Sequence, residues 1–216
     1  MLLEAVADHQ EIPVGRCQPA RCYLWGNNPW TMKIAFILFN GITWLDLAGV
    51  YEPVSRLKHT GYLPDLEWDF CARTETVEDM GGLRVIPTKI GGTLSGYDVI
   101  IVPGGKGTRA CMQDEAFIEW IRTAAEAEWK ISVCTGSLLL GAAGFLKGRK
   151  ATTHFDAYDL LAPYCAMVDD SRIVEDGDCI TAGAVTSSID LGLYLCRKWA
   201  GGEADIMIRY KMDYKG

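Results

Sequence analysis

The residues best suited to chemistry lie in the segment Val133-Cys-Thr-Gly-Ser137, where a cysteine stands between a β-branched run and a glycine. This pattern predicts a sharp strand-to-helix turn, the nucleophile elbow, which presents one side chain to a crevice. Because the amino end of the following helix favours a negative sulfur, we expect Cys134 to be a nucleophile and the most acidic thiol of the chain. The other cysteines of apolar segments are expected to be small core residues: Cys71, Cys111, Cys165 and Cys196.

Further candidates follow other predicted strands. Gly104 and Gly105 end the run DVIIVPGG, and their N–H groups either face a developing negative charge, as in an oxyanion hole, or form a plain tight turn. Asp46 comes just after the first strand and either caps a helix or faces the crevice and handles protons. His154 ends the run ATTH and is a candidate proton partner for the cysteine, although a lone histidine is more often structural.

The elements that must position these residues alternate between strands and helices. Near-continuous apolar runs at Ile34–Asn40, Asp98–Pro103 and Lys130–Cys134 are typical of parallel strands buried on both faces. The alternation predicts an α/β fold, a single doubly wound (flavodoxin-like), mostly parallel sheet sandwiched by helices. In such folds ligands bind beyond the carboxyl ends of the strands, where the candidate residues lie.

Less regular segments have predicted bounds of their own. We expect a helix from the capping residue Asp114 to Glu128, because the capping side chain precedes a helical pattern. Short strands are predicted at Leu83–Pro87 and Lys150–His154, and Ile173–Asp176 is expected to form a hairpin with Cys179–Thr181.

The first 31 residues differ from the rest. They contain three prolines and no lasting period, so we interpret them as a poorly ordered or irregular extension ahead of a domain at 32–216. No basic region followed by an apolar one is found there, so no signal peptide is predicted. A pairing of Cys17 with Cys22 is left open, while the irregular cysteine spacing elsewhere favours free thiols in a reducing cytoplasm.

Composition and charge exclude several classes of function. The chain has 216 residues, a net charge of −7 and no basic run, which argues against binding nucleic acid. Its longest apolar stretches are strand-sized, far short of the roughly 20 residues that span a bilayer, so no membrane insertion is expected. With three histidines in the chain, a Cys/His zinc site is not predicted.

Four stretches resemble the ThiJ/PfpI superfamily of class I glutamine amidotransferase-like domains: LFNGITWLDLAG, DVIIVPGGKG, SVCTGSLLLGAAGFLKGRKATTHF and RIVEDGDCITAGAVTSSIDLGLYL. Together they fall within residues 33–200. Inside the superfamily the sequence is most similar to the isonitrile (isocyanide) hydratase group, with the sensor domains of AraC-like regulators nearby.

The resemblance implies an enzyme that acts on a small electrophile, an isonitrile. A cysteine thiolate attacks its terminal carbon, and water releases an N-substituted formamide. Cys134 matches the nucleophile, Asp46 the acidic residue that bonds near the sulfur, and Thr135 the threonine associated with hydratase activity. The resemblance also implies a homodimer with no metal and no organic cofactor. Ala48 and Val50 depart from the hydratase pattern, which leaves the physiological substrate open.

Other functions stay open beside this one. A glyoxalase III or deglycase is compatible with Cys134, Asp46 and His154 and is the main enzymatic alternative. A peptidase would carry histidine directly after the cysteine, where Thr135 stands. A ligand-sensing or redox-sensing domain is the non-enzymatic alternative. A DNA-binding regulator would need about a hundred further residues with a helix-turn-helix, which the sequence up to Gly216 does not supply.

Overall fold

A computed structural model describes residues 31–216. All but the last residue of the expected irregular extension at 1–31, and the open pairing of Cys17 with Cys22, lie outside the residues described. The strands are β1 (Lys33–Ile37), β2 (Glu67–Ala72), β3 (Val77–Glu78), β4 (Arg84–Val85), β5 (Lys89–Ile90), β6 (Val99–Val102), β7 (Trp129–Val133), β8 (Lys150–Ala151), β9 (Met167–Val168), β10 (Ile173–Asp176) and β11 (Cys179–Ala182). The α-helices are α1 (Trp44–His59), α2 (Thr108–Cys111), α3 (Glu115–Arg122), α4 (Gly136–Ala142), α5 (Tyr158–Leu161), α6 (Ser187–Ala200) and α7 (Gly202–Lys211).

Within residues 31–216 the central element is a seven-stranded sheet with the order β10-β11-β7-β6-β1-β2-β5. Its neighbouring strands run parallel, except that β10 and β11 form an antiparallel hairpin. Every residue of β6 is buried, as are all but the first of β1 and of β7. Burial on both faces explains why these strands are near-continuous apolar runs, and the predicted doubly wound α/β fold is confirmed.

The strand order reverses at β1. The chain continues from β1 to β2 on one side of the sheet and later crosses to β6 and β7 on the other side. Such a reversal leaves a crevice at the carboxyl ends of the strands on either side of it. Helix α1 starts shortly after β1, Gly104 and Gly105 follow β6, and Cys134 follows β7. The topology therefore gathers the predicted strand-end segments at one edge of the sheet.

The helices form two groups, one of which fixes the start of α1. Helix α1 packs against α6 and α7, whereas α4 packs against α2, α3 and α5. A Cβ on Gly49 of α1 would collide with the hydroxyl of Ser188 and lie 2.7 Å from its Cβ, so only glycine allows this approach of α1 to α6. The Ser188 hydroxyl also lies 2.7 Å from the carbonyl of Val185 and 3.1 Å from that of Leu45 in α1, and it can donate to either. The first turn of α1 is thereby held against α6.

Helix α3 is shorter than the sequence predicts. Its capping residue is confirmed, because the Asp114 carboxylate accepts from the Phe117 N–H at 3.1 Å. The helix ends at Arg122 rather than at Glu128, and turns then lead the chain into β7. At this end the hydroxyl of Thr123 donates to the carbonyl of Trp120. No helix among the described residues has the length and hydropathy needed to cross a bilayer.

Two predicted strands are shorter and lie outside the central sheet. The strand expected at Leu83–Pro87 is reduced to β4, which pairs with β3 in a separate hairpin. The strand expected at Lys150–His154 ends at Ala151, where β8 pairs with β9. Beyond it the Thr152 N–H donates to the hydroxyl of Thr181, and the Thr153 hydroxyl donates to the carbonyl of Cys134. Side-chain bonds thus replace the ladder that a longer strand would form.

Candidate active site

Cys134 occupies the turn between β7 and α4 in the left-handed backbone region, with φ of +53°. This conformation costs a non-glycine residue about 1–2 kcal/mol, and hydrogen bonds on both sides hold it. Its N–H is 2.9 Å from the carbonyl oxygens of both Ala182 and Gly183. Its carbonyl accepts from the hydroxyls of Ser137, at 3.1 Å, and of Thr153, at 3.0 Å. The elbow predicted from the sequence is present, and Cys134 is only 4 % exposed.

Asp46 lies in the first turn of α1 and is fully buried. Its Oδ2 accepts from the Gly104 N–H at 2.9 Å, so the side chain binds the neighbouring loop rather than capping its own helix. Its Oδ1 is buried and has no hydrogen-bond partner among residues 31–216. Burial raises the pKa of Asp46 to about 7, although the Gly104 N–H and a contact with the Cys134 thiol act in the opposite direction. The carboxyl is therefore able to hold or release a proton near neutral pH.

Gly104 marks the point where the candidate residues meet. A Cβ added to it would lie 2.7 Å from Asp46 Oδ2, 2.7 Å from the Thr135 backbone nitrogen and 2.9 Å from Cys134 Cβ. Groups that follow two other strands, β1 and β7, therefore surround the missing side chain of a residue that follows β6. Only a residue without a Cβ fits here, and this close packing brings the carboxyl and the thiol together.

The structure corrects the expectation that Cys134 is the most acidic thiol. Burial and then the negative charge of Asp46 raise the pKa of Cys134 to about 12, whereas its contacts with the Thr135 N–H and hydroxyl lower it. Cys111 is less buried than Cys134, and burial raises the pKa of its thiol to about 11. Desolvation at this depth outweighs the amino end of α4. Asp46 is the ionisable side chain that contacts this thiol.

Thr135 and Gly105 bind each other across the crevice. The Gly105 N–H donates to Thr135 Oγ1 at 3.0 Å, and the Thr135 hydroxyl is 3.1 Å from the Gly105 carbonyl. Together with the bond from the Gly104 N–H to Asp46, this occupies both N–H groups that the sequence suggested for an oxyanion hole. In this structure they hold the carboxyl and the hydroxyl in place, which differs from the expected oxyanion-binding role.

His154 makes its hydrogen bond and its ring contact within its own segment. Its Nδ1 accepts from the Asp156 N–H at 3.2 Å, and its ring stacks on Phe155 with 4.2 Å between the centroids. Within the described part of the chain, no hydrogen bond joins it to Cys134 or Asp46. Its neighbour Thr153 is the residue of this segment that reaches the elbow.

Comparison with known proteins identifies the family. The model of the DJ-1/PfpI family matches residues 32–198. The chain belongs to the DJ-1/PfpI family. Isonitrile hydratase of Pseudomonas putida is 37% identical over 185 residues, which is 85% of this chain and 78% of that protein. A further relative is the HTH-type transcriptional regulator GbdR of Pseudomonas aeruginosa, 24% identical over 85% of this chain and 51% of the regulator.

Solved structures of DJ-1/PfpI proteins share the fold. A THiJ/PfpI family protein from Pseudomonas syringae superposes with a TM-score of 0.78 and 31% identity, covering 88% of this chain and 79% of that one. DJ-1beta of Drosophila melanogaster has a TM-score of 0.74 at 17% identity, covering 87% of this chain and all of that one, and shows the fold alone. The resemblance inferred from sequence motifs is confirmed.

One residue of this DJ-1/PfpI site was missed in the sequence. Thr108 is fully buried, and its hydroxyl lies 2.8 Å from the Gly105 carbonyl and 3.2 Å from Thr135 Oγ1. In the sequence it follows a glycine and a lysine and is indistinguishable from a surface-loop threonine. Residues 31–216 contain no group of three or more His, Cys, Asp and Glu side chains placed to hold a metal ion.

Proposed function

We propose that this DJ-1/PfpI protein hydrates isonitriles to N-substituted formamides, with Cys134 as nucleophile and Asp46 as the group that moves protons. The first support is the isonitrile hydratase relative, 37% identical over 85% of the chain. The second is the site itself, in which a buried thiol contacts a carboxyl with a pKa of about 7. A nucleophile and an adjacent group that exchanges protons near neutral pH are what this addition requires.

The first step forms a carbon–sulfur bond. The Cys134 thiol passes its proton to the Asp46 carboxylate, and the sulfur attacks the terminal carbon of R–N≡C. The Asp46 carboxyl then gives the proton to that carbon. The product is a thioimidate, R–N=CH–S–Cys134, and Asp46 is again a carboxylate.

The second step adds water and releases the sulfur. As the water oxygen attacks the thioimidate carbon, Asp46 accepts one water proton and the nitrogen receives it, which gives R–NH–CH(OH)–S–Cys134. The carbon–sulfur bond then breaks, and the hydroxyl proton returns to the sulfur by way of Asp46. The products are R–NH–CHO and the free thiol, and their atoms equal those of one isonitrile and one water.

The hydrogen bonds of Gly104 and Gly105 favour this chemistry over acyl transfer. An acyl-transfer site aims such N–H groups at a carbonyl oxygen that becomes negative. Here they donate to Asp46 Oδ2 and Thr135 Oγ1. Sulfur attack on an isonitrile places the developing charge on carbon and expels no leaving group, so it needs a proton donor at the carbon. The Gly104 N–H holds that donor, Asp46, beside the sulfur, and this is the observation that carries the proposal.

The burial of the pair also limits the substrate. Cys134 is 4 % exposed and Asp46 is completely buried, so little of the sulfur is accessible to a reacting atom. The terminal carbon of an isonitrile lies on a linear N≡C group and carries no substituent. A peptide carbonyl is flanked by chain on both sides. The geometry is therefore better matched to the slender electrophile.

An infrared assay tests the proposal directly. Purified protein is incubated with alkyl and aryl isonitriles, and loss of the N≡C stretch is followed together with formamide appearance by mass spectrometry. Cys134→Ala should abolish turnover. The matched control is Cys165→Ala, which removes a partly buried thiol bonded to the Leu161 carbonyl and should keep full activity.

The same preparation distinguishes the alternatives. Conversion of methylglyoxal to lactate without any consumption of isonitriles would replace the proposal by the glyoxalase alternative. Inertness to both substrates, with reversible oxidation of Cys134, would favour a sensor. Light scattering coupled to size-exclusion chromatography tests the homodimer that the family resemblance implies.

A further inference from the structure

The carbonyl of Gly105 is approached by more donors than it can accept. The Thr108 hydroxyl lies at 2.8 Å, the Thr135 hydroxyl at 3.1 Å, the Thr108 N–H at 3.2 Å and a guanidinium nitrogen of Arg109 at 3.5 Å. A carbonyl oxygen offers two lone pairs. The two Thr108 donors include the shortest of these contacts, so Thr135 competes with Thr108 for the same acceptor.

The competition decides where the Thr135 hydroxyl proton points. Thr135 Oγ1 already accepts from the Gly105 N–H at 3.0 Å. A hydroxyl has one proton to donate, and the acceptors near it are the Gly105 carbonyl at 3.1 Å, Thr108 Oγ1 at 3.2 Å and the Cys134 sulfur. The contact of the Thr135 hydroxyl with the sulfur lowers the pKa of Cys134. If Thr108 occupies the carbonyl, the Thr135 proton is left for the sulfur.

The surroundings of Thr108 favour that arrangement. Thr108 is fully buried, so water does not compete for its hydroxyl. Its oxygen accepts from Arg109 Nη1 at 3.2 Å. Its single proton has two acceptors within reach, the Gly105 carbonyl at 2.8 Å and Thr135 Oγ1 at 3.2 Å, and the carbonyl is the nearer one.

We propose that Thr108 is a positioning residue, which occupies the Gly105 carbonyl and thereby turns the Thr135 hydroxyl toward the Cys134 sulfur. Thr108 itself touches neither the sulfur nor Asp46 through any hydrogen bond found in residues 31–216. The effect of Thr108 on turnover rests on the proposed function, whereas its effect on the acidity of the Cys134 sulfur does not. A thiolate that receives one more hydrogen bond forms at lower pH, with or without a substrate.

The test measures the reactivity of the sulfur without any isonitrile. Iodoacetamide alkylation of the Cys134 peptide is quantified by mass spectrometry between pH 7 and pH 10 in wild type, Thr108→Val and Thr108→Ser. Losing a hydrogen bond to a charged acceptor should slow alkylation of Thr108→Val about tenfold, equivalent to an upward pKa shift of about one unit. Thr108→Ser keeps the hydroxyl and should restore the wild-type profile. A merely structural role would not produce a slowing that serine, which keeps the hydroxyl but loses the methyl group, reverses.

A double variant asks whether Thr108 acts through Thr135. If it does, adding Thr108→Val to Thr135→Val should cause no further slowing, because the hydroxyl being positioned is already absent. Thermal unfolding verifies that each variant is folded, and Thr108→Ala, which is smaller than threonine, replaces Thr108→Val if the latter does not fold. The proposal is overturned if Thr108→Val is alkylated at the wild-type rate. It is also overturned if Thr108→Val slows alkylation as much in the Thr135→Val protein as it does in wild type.

The two proposals fail in different ways. Wild-type protein that is inert to isonitriles but shows the Thr108-dependent alkylation profile would remove the proposed function and leave the positioning role intact. Wild-type protein that hydrates isonitriles, with an alkylation rate that does not change in the Thr108 variants, would keep the proposed function and remove the positioning role.

Discussion

Asp46→Asn tests proton exchange while preserving the architecture of the site. The asparagine carbonyl can still accept from the Gly104 N–H, which Asp46 Oδ2 does at 2.9 Å, so the loop keeps its anchor. Asp46 makes no capping bond to its own helix that the change would remove. The substitution does remove the exchangeable proton and the negative charge. Because the charge raises the pKa of Cys134, turnover and thiol reactivity should move in opposite directions.

The two magnitudes follow from the site. Loss of a general acid or base costs about 10² to 10⁴ in rate, so isonitrile turnover should fall by that factor. At pH 8 a carboxyl with a pKa of about 7 is about nine-tenths ionised, and a thiol with a pKa of about 12 is about one part in 10⁴ thiolate. Removing the charge should lower the pKa of Cys134 by about one unit, which raises the thiolate fraction, and the alkylation rate at pH 8, about tenfold.

Two assays on the same sample decide the outcome. Turnover is followed by the infrared loss of the N≡C stretch, and alkylation of Cys134 by mass spectrometry of its peptide. Turnover within twofold of wild type would show that Asp46 moves no proton in the reaction. A parallel fall of both rates would show that the substitution disturbed the site rather than its charge, and the argument from electrostatics would then be wrong.

Further outcomes follow from the same geometry. The pH–rate profile should rise about tenfold per unit up to pH 7 and then stay level to about pH 10, because below pH 7 Asp46 is protonated and cannot take the proton of Cys134; a level profile through pH 6 contradicts this. Because the pKa of Asp46 is raised in the folded protein, protonation of this carboxyl stabilises the fold at low pH, and this stabilisation is lost as pH rises through about 7. The free energy of unfolding of Asp46→Asn, measured with denaturant, should therefore increase relative to that of wild type by up to about 4 kcal/mol between pH 4 and pH 8. A difference that stays constant with pH would exclude a buried, titrating carboxyl. Gly104→Ala should reduce turnover at least about 100-fold and destabilise the fold by about 1–3 kcal/mol, since the new Cβ would lie 2.7 Å from Asp46 and from Thr135. The control is Gly202→Ala, whose Cβ would have no atom within 4 Å, and it should change neither turnover nor stability.

The sequence predicted the central sheet because its strands carry a strong signal. β1, β6 and β7 are buried on both faces, and continuous apolar runs of strand length are hard to mistake. β5 was missed because its two residues, Lys89 and Ile90, are exposed and have no apolar pattern. The helix after Asp114 was extended too far because alanine-rich sequence continues beyond Arg122, where the chain forms turns instead.

For the site, the sequence predicted which residues meet but not their electrostatics. Cys134, Asp46 and Gly104 each follow a strand of a parallel sheet, so their proximity follows from topology. The pKa of Cys134 does not, because it depends on how much of the sulfur is removed from water and on the charge beside it. Thr108 was missed for the same reason, since its importance comes from complete burial against Gly105, a tertiary property that no local spacing records.

The contact between Gly49 and Ser188 suggests how this chemistry is to be recognised in other chains. Gly49 lies one helical turn after Asp46, and any side chain there would push α1 away from α6 and withdraw the carboxyl from the sulfur. The sequence signature of this acid is therefore two residues, an aspartate and a glycine three positions later, rather than the aspartate alone. A homologue that keeps the aspartate and cysteine but carries a bulky residue in place of this glycine should have lost their coupling. Searching for the pair, together with a small residue on the facing helix, would separate working sites from vestigial ones.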